Sequence, residues 1–418
     1  MSDVNFSKDF YEKIKVLYTD YENAIKRYET AICEFKKFYG DKEYKIFSAP
    51  GRTEIIGNHT DHQRGLAMAG SVNLDAVGVA AKNDKNVITV ISYGYENKDI
   101  VNIDDLTVKN NEKGYSVSLV KGIVKKFSDL GYNIGGLDIY VTSNVLKGSG
   151  LSSSAAFEVL IATIINHMYC DGKETYVSIA KIARYAENVY FGKPSGILDQ
   201  LASSVGGFVY IDFLDEENPI VEKIDFNYKK KGYTLCIVDT GGNHADLTDD
   251  YKHISDDLKK ISSYFKKEVL REVDENVFYS NLKNLREEVN DRAILRAFHV
   301  FEENKRVLNA RDCLKNDDFN SFLKILKESG NSSYKYLQNV FSTLDVNKQG
   351  IGLALFLTET FLDGKGSYRV HGGGFAGTIQ AFVPNDMLCE YVEKMESIFG
   401  KGNCHKLFIR PYGAIKII

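Results

Sequence analysis

The chain has 418 residues, with 53 Lys and Arg against 57 Asp and Glu and a net charge of −4. That length supports two domains with sizeable cores, and 44% hydrophobic with 26% charged residues is the balance of a globular chain. No basic excess is available to neutralise nucleic-acid phosphates, and no apolar run is long enough to span a bilayer.

Residues 5–39 carry apolar side chains at roughly helical spacing and predict a helix. The early acids in this stretch do not suit a secretory signal. Ile46–Ala49 predicts a short strand ending at Pro50-Gly51. The β-rich runs Val77–Ala81 and Val87–Ser92 flank a polar turn. Leu137–Thr142 alternates as a strand. Ala155–Met168 is apolar nearly all round, so its helix should be buried, and a second helix is expected over Tyr176–Phe191. The charged run 214–232 is the best passage between domains, which sets expected units of 1–215 and 216–418. Beyond the strand Leu235–Asp239, a long helical region covers about 246–362, and the chain closes as β–loop–β–helix–β. The whole predicts an α+β fold with mixed sheets packed against helices. Six scattered cysteines with no CxxC pair read as reduced thiols of a cytoplasmic protein.

Four segments carry the chemistry. In the first, a strand runs into Pro50-Gly51 and then delivers Arg52, Glu54, Asn58, His59, Asp61 and His62 within eleven residues. Such a density of polar groups suits a pocket that reads several hydroxyls, since Asp accepts two hydrogen bonds and His donates or accepts. A solvated polar loop is the plainer alternative. The second runs Gly148-Ser149-Gly150-Leu151-Ser152-Ser153-Ser154 into the apolar helix. Backbone N–H groups at a helix start attract phosphate, although serines also cap ordinary helices. GxxxxGK[ST] is absent, so a phosphate cradle here is not a Walker loop.

The third segment is Gly192–Gln200, with Asp199 twelve residues after Glu187. Two carboxylates near glycine turns suit one metal ligand and one proton acceptor, and an Asp in a Gly-Pro loop is also a common turn residue. The fourth, His371–Thr378, formally matches GxGxxG. A helix must open at the third glycine of a dinucleotide motif, whereas Thr378–Val383 alternates like a strand. A glycine hairpin is therefore expected.

The order GR…IGNHTDH, GSGLSSSAA, SGILDQ and HGGGFAGT resembles the GHMP kinase superfamily and, within it, the galactokinase family. The resemblance runs from about residue 40 to the C-terminus. It implies a two-domain fold and transfer of the ATP γ-phosphoryl to the anomeric hydroxyl of galactose. By the resemblance Asp199 is the catalytic carboxylate and Arg52 its cationic neighbour. The turn 148–154 cradles the ATP phosphates, and Ser154 and Glu187 hold Mg²⁺. His59, Asp61, Gly196 and, more loosely, Tyr251 in HADLTDDY contact the sugar. The implied partners are sugar and ATP, with no nucleic acid, membrane or protein partner.

Two departures stand out. The family signature GR-x-N-x-I-G-E-H-T-D-Y has Asn where this chain has Glu54, and Glu where it has Asn58. By the resemblance the signature Glu contacts the sugar's C6 hydroxyl, so Asn58 is expected to widen substrate choice, with Glu54 able to supply the missing carboxylate. A kinase for another sugar, such as an N-acetylated hexosamine or arabinose, and a non-catalytic sugar sensor remain as alternatives.

Overall fold

The computed structural model describes residues 6–146, 148–242 and 248–418. Among the described residues, twelve strands form two sheets. In chain order they are β1 Lys45–Ile56, β2 Leu66–Asn83, β3 Val87–Ser92, β4 Asp99–Asn102, β5 Gly136–Ser143, β6 Phe208–Asp212, β7 Ile220–Ile224, β8 Tyr233–Asp239, β9 Ser367–Val370, β10 Thr378–Pro384, β11 Cys404–Leu407 and β12 Ile415–Lys416. The first sheet has the order β12-β1-β2-β5-β3-β4, and the long β2 also pairs β6, which pairs β7. Only β3 and β5 run parallel in it. The second sheet is antiparallel, β11-β8-β10-β9.

Alternation along β2 decides what packs on each face. Val77, Val79 and Ala81 meet the N-terminal helices, while Ala76 and Ala80 join the core that holds the Ser153–Tyr169 helix. That second core is continuous from β1 and β2 to Leu235, Ile237, Phe322 and Phe382, so it spans both halves of the molecule. The expected 215/216 division falls just ahead of β7, which still pairs in the first sheet. The chain passes to the second sheet after Ile224, and β12 returns to pair with β1.

The stretch expected as one helix over 5–39 is two, Lys8–Leu17 and Tyr21–Tyr39, because Asp20 caps the second by accepting from Asn23 N at 3.2 Å. Tyr18 and Arg27 both donate to the buried carboxylate of Asp75, which also pairs with Arg410 at 3.1 Å. These contacts fasten both N-terminal helices and the C-terminal segment to the sheet. The first strand does not end at Pro50 but continues through it. A register shift between Pro50 and Arg52 absorbs the proline, as bulges do. The helix Tyr176–Tyr185 changes to π geometry over Ala186–Phe191, placing Glu187 in the altered turn. Thr378–Pro384 is a strand, so the hairpin reading of the last glycine segment holds.

Candidate active site

A cavity of about 320 Å³ is lined by Arg52, Glu54, Asn58, His59, Asp61, Glu187, Gly196 and Asp199, together with Gly372 and Gly373 of the glycine hairpin. Three segments far apart in sequence therefore meet on one space. Neither the start of the Ser153–Tyr169 helix nor Tyr251 is in its wall.

Arg52 organises the centre. Its Nε donates to Asp199 Oδ1 at 2.6 Å, and its Nη1 donates to the Gly150 carbonyl. Its backbone N donates to the Leu151 carbonyl at 3.0 Å. One residue thus joins Asp199 to the Gly-Ser turn. Arginine suits this role because its rigid, always charged fork serves two acceptors at once. The turn leads into the helix through Ser152, which is left-handed at φ 55. Ser153 and Ser154 occupy the first helical positions, where unpaired N–H groups favour anions. His371 braces the turn from the hairpin: Nδ1 lies 2.9 Å from Thr378 Oγ1 and Nε2 lies 3.0 Å from Thr53 Oγ1. Burial, with Arg52 and Arg369 nearby, drives the His371 pKa down to about 3, so the ring is neutral.

The loop that follows the first strand is held by a helix far along the chain. On Asp291–Lys315, His299 and Glu303 stand one turn apart and fully buried. His299 Nε2 donates to the Asn58 carbonyl at 3.0 Å, and Glu303 Oε1 accepts from Gly57 N at 3.1 Å. Asn304 Oδ1 accepts from Leu66 N at 2.8 Å. Thr60 Oγ1 closes the loop on the carbonyls of Gly57 and Leu66. His59 takes a left-handed backbone, φ 58, and its Nε2 lies 2.9 Å from the Gly373 carbonyl. Burial and neighbouring His62 lower its pKa to about 4. Burial opposes ionisation of Asp61, but the bond from His62 and its charge win and hold the carboxyl at about 2. A neutral His59 thus stands beside an ionised Asp61. Gly196 packs so close to Asp61 that a Cβ there would lie 3.1 Å from Oδ2.

The interchanged pair Glu54 and Asn58 is in direct contact. Asn58 Nδ2 donates to Glu54 Oε1 at 3.0 Å and to the Gly372 carbonyl at 2.7 Å. Asn58 Oδ1 accepts from Asn339 Nδ2 at 2.7 Å. Both polar ends of Asn58 are thereby committed to protein. Glu54 Oε1 also accepts from Arg369 at 3.2 Å, and no described residue bonds Oε2. Burial raises the Glu54 pKa, opposed by Arg369 and Arg52.

Behind Asp199, Glu187 accepts from Lys193 at 2.7 Å, Ser195 Oγ at 2.5 Å and Gln200 Nε2 at 2.9 Å. Gln200 Nε2 also reaches Glu158 Oε2 at 3.0 Å. Burial first, then the Glu187 charge, pushes the Glu158 carboxyl above the usual carboxylate range. Tyr251 OH donates to the Gly374 carbonyl at 3.1 Å, and its ring stacks on His59 with centroids 6.3 Å apart. Residues 244–247 of its HADLTDDY segment lie outside the described residues.

Sequence reasoning passed over Glu158, Gln200, His299, Glu303 and Asn339. A lone Glu in the apolar run AAFEVL was the signal for Glu158. His299 and Glu303 stand four positions apart on one helix face, a spacing equally compatible with a surface pair.

The "GHMP kinases N terminal domain" matches residues 118–207, and the "Galactokinase galactose-binding signature" matches residues 33–82. A curated galactokinase of Clostridium tetani is 29% identical over 372 residues, covering 88% of this chain and 91% of that one. The crystal structure of Lactococcus lactis galactokinase complexed with galactose shares the fold, with TM-score 0.75, 22% identity and coverage of 92% and 98%. Methanococcus jannaschii mevalonate kinase shares it with TM-score 0.61, 14% identity and coverage of 88% and 98%. Both signatures, a relative matched over most of its length and a common fold make the chain similar to the GHMP kinases.

Proposed function

We propose that this protein is an ATP-dependent kinase that phosphorylates the anomeric hydroxyl of galactose. The observation that carries the proposal is the Arg52–Asp199 ion pair, facing a polar cavity built from the galactose-binding signature. Asp199 accepts the proton of the sugar hydroxyl as its oxygen forms the new bond to the γ-phosphorus. The bond from that phosphorus to the β–γ bridging oxygen breaks, and ADP leaves. Arg52 holds Asp199 in place and favours its ionised form. Its position between Asp199 and the Gly-Ser turn suits charge that develops on the transferring group.

Glu54, His59 and Asp61 present a carboxylate, a neutral imidazole and a second carboxylate to sugar hydroxyls. The interchange with Asn58 moves the carboxylate four positions back into the first strand but keeps one in the cavity, which supports galactose. The intact Arg52–Asp199 pair counts against a sensor without catalysis.

Mg²⁺ fits the same reading. Glu187 and Ser154 are oxygen donors, and Mg²⁺ uses only one or two carboxylates beside waters and substrate phosphates. The buried Glu158 Oε1 has no protein partner, a further sign of a region short of positive charge. Bound there, the ion would neutralise phosphate charge. Lys193, more than half exposed, pairs with Glu187 at the same place. The proposal sets the enzyme in the cytoplasm with sugar and ATP as its ligands; no helix of the described residues is long and apolar enough to cross a membrane. ADP release measured with a panel of sugars tests the assignment.

A further inference from the structure

On the far side of the glycine hairpin lies a second cavity, of about 250 Å³, with Asp250, His253, Arg292, Arg296, Tyr334 and Phe375 in its wall. Its charge is unusual. Arg292 and Arg296, one turn apart on the Asp291–Lys315 helix, converge on a single oxygen, Asp257 Oδ2, at 2.6 and 2.9 Å. Lys260 takes the other oxygen at 3.1 Å. Three cations thus share one carboxylate. Asp250 opposes them, with Oδ2 accepting from Ser342 Oγ at 2.5 Å, yet a net positive charge remains.

Arg296 is only 4% exposed. Its Nε donates to the Leu337 carbonyl at 3.2 Å and its Nη1 to Asp257, whereas no described residue accepts from Nη2. A guanidinium carries five N–H donors, and those on Nη2 are left for a ligand. Burial and the Arg292 charge both weaken the hold of Arg296 on its proton. An oxyanion in the cavity satisfies the free donors and relieves the repulsion at once, in the bidentate manner of Arg with phosphate.

We propose that this cavity is a second ligand site, separate from the sugar cavity, for a small phosphate-bearing metabolite. Arg292 and Arg296 bind the phosphate, and Asp250 accepts from a hydroxyl of the attached group. The volume lies below that of sites for drug-sized ligands and suits nothing as large as a nucleoside triphosphate. The wall is shared with the hairpin: Phe375 packs edge-on against Tyr251 at 5.6 Å, and Tyr251 stacks on His59.

The test uses the full chain with galactose and a non-hydrolysable ATP analogue at saturation, so that phosphate cannot report on the sugar cavity. Calorimetric titration with inorganic phosphate, and separately with glycerol phosphate, should show one saturable site. Arg292→Gln, at a half-exposed position, should weaken both at least tenfold while kcat for galactose stays unchanged. Asp250→Asn should weaken glycerol phosphate but not inorganic phosphate. No saturable binding of either probe, or equal binding by wild type, Arg292→Gln and Arg292→Glu, overturns the site. The result does not depend on which sugar the enzyme phosphorylates.

Discussion

Arg52 Nε meets Asp199 Oδ1 at 2.6 Å although 147 positions separate the two residues in sequence. The bond joins the bulged first strand to the helix Leu198–Val205. If Asp199 accepts the sugar proton, Asp199→Asn keeps the shape and a bond from Arg52 but removes the base. We predict a loss of kcat of about 10²–10⁴-fold with sugar affinity changed by less than threefold. Single-turnover kinetics with calorimetric sugar binding check both halves. Retention of a tenth of the wild-type rate would remove Asp199 from that role.

Glu54, rather than Asn58, has an oxygen left for the sugar. Glu54→Gln should raise KM for galactose about five- to tenfold with little change in kcat, the difference between a charged and a neutral acceptor. Because burial raises the Glu54 pKa, its charge is lost earlier on acidification than that of an ordinary glutamate; Asp61, at about 2, keeps its own. KM for galactose should therefore climb as pH falls toward 5, and the climb should vanish in Glu54→Gln. A wild-type KM that stays flat through that range would count against the assignment.

Asn58→Glu alone should destabilise the loop rather than improve galactose binding. It loses the donation to the Gly372 carbonyl and sets a carboxylate against Glu54. The double change Glu54→Asn with Asn58→Glu restores one carboxylate and should recover stability relative to Asn58→Glu. Chemical denaturation of the three variants measures it, and simple additivity of the two single effects would contradict the coupling.

His299 and Glu303 make the sugar loop acid-sensitive. Burial lowers the His299 pKa to about 4, so between 4 and 6.5 the unfolded chain binds a proton that the folded chain does not. Stability contributed there is complete above 6.5 and declines as pH falls, by roughly 3 kcal/mol for this group once pH is below 4. Burial disfavours the Glu303 charge, but Arg306, His299 and other partners hold its pKa at about 2, adding a loss between 4.5 and 2. His299→Gln should be less stable at pH 7 and show a shallower decline from pH 7 to 4.5 in urea titrations. An unchanged slope would mean that His299 is not the titrating group.

Ser154→Ala and Glu187→Gln should each raise the Mg²⁺ concentration for half-maximal rate, since each removes or weakens an oxygen donor. Unchanged Mg²⁺ dependence in both would break the metal assignment.

Much of the α+β fold was legible because the periodic runs are long. The apolar stretch 155–168 is the buried helix Ser153–Tyr169, and the alternating 137–142 lies within β5. The break after Leu17 was not, because Asp20 caps a helix inside a pattern that continues on both sides. Pro50 read as a strand end since a bulge that admits proline depends on the partner strand, which local sequence does not reveal. The cavity residues fell within short dense motifs and were accessible to reading. Their supports were not: His299, Glu303 and Asn339 act through contacts spanning 241, 246 and 281 positions, and nothing local marks such partners.

The most direct test of the central claim is the rate of ADP release by the purified chain with ATP, Mg²⁺ and each of galactose, arabinose, an N-acetylated hexosamine and no sugar. The account predicts the highest kcat/KM with galactose, a phosphorylated anomeric position in the product, and loss of that activity in Asp199→Asn. Sugar binding without ADP release, or a higher kcat/KM for another sugar, would contradict it.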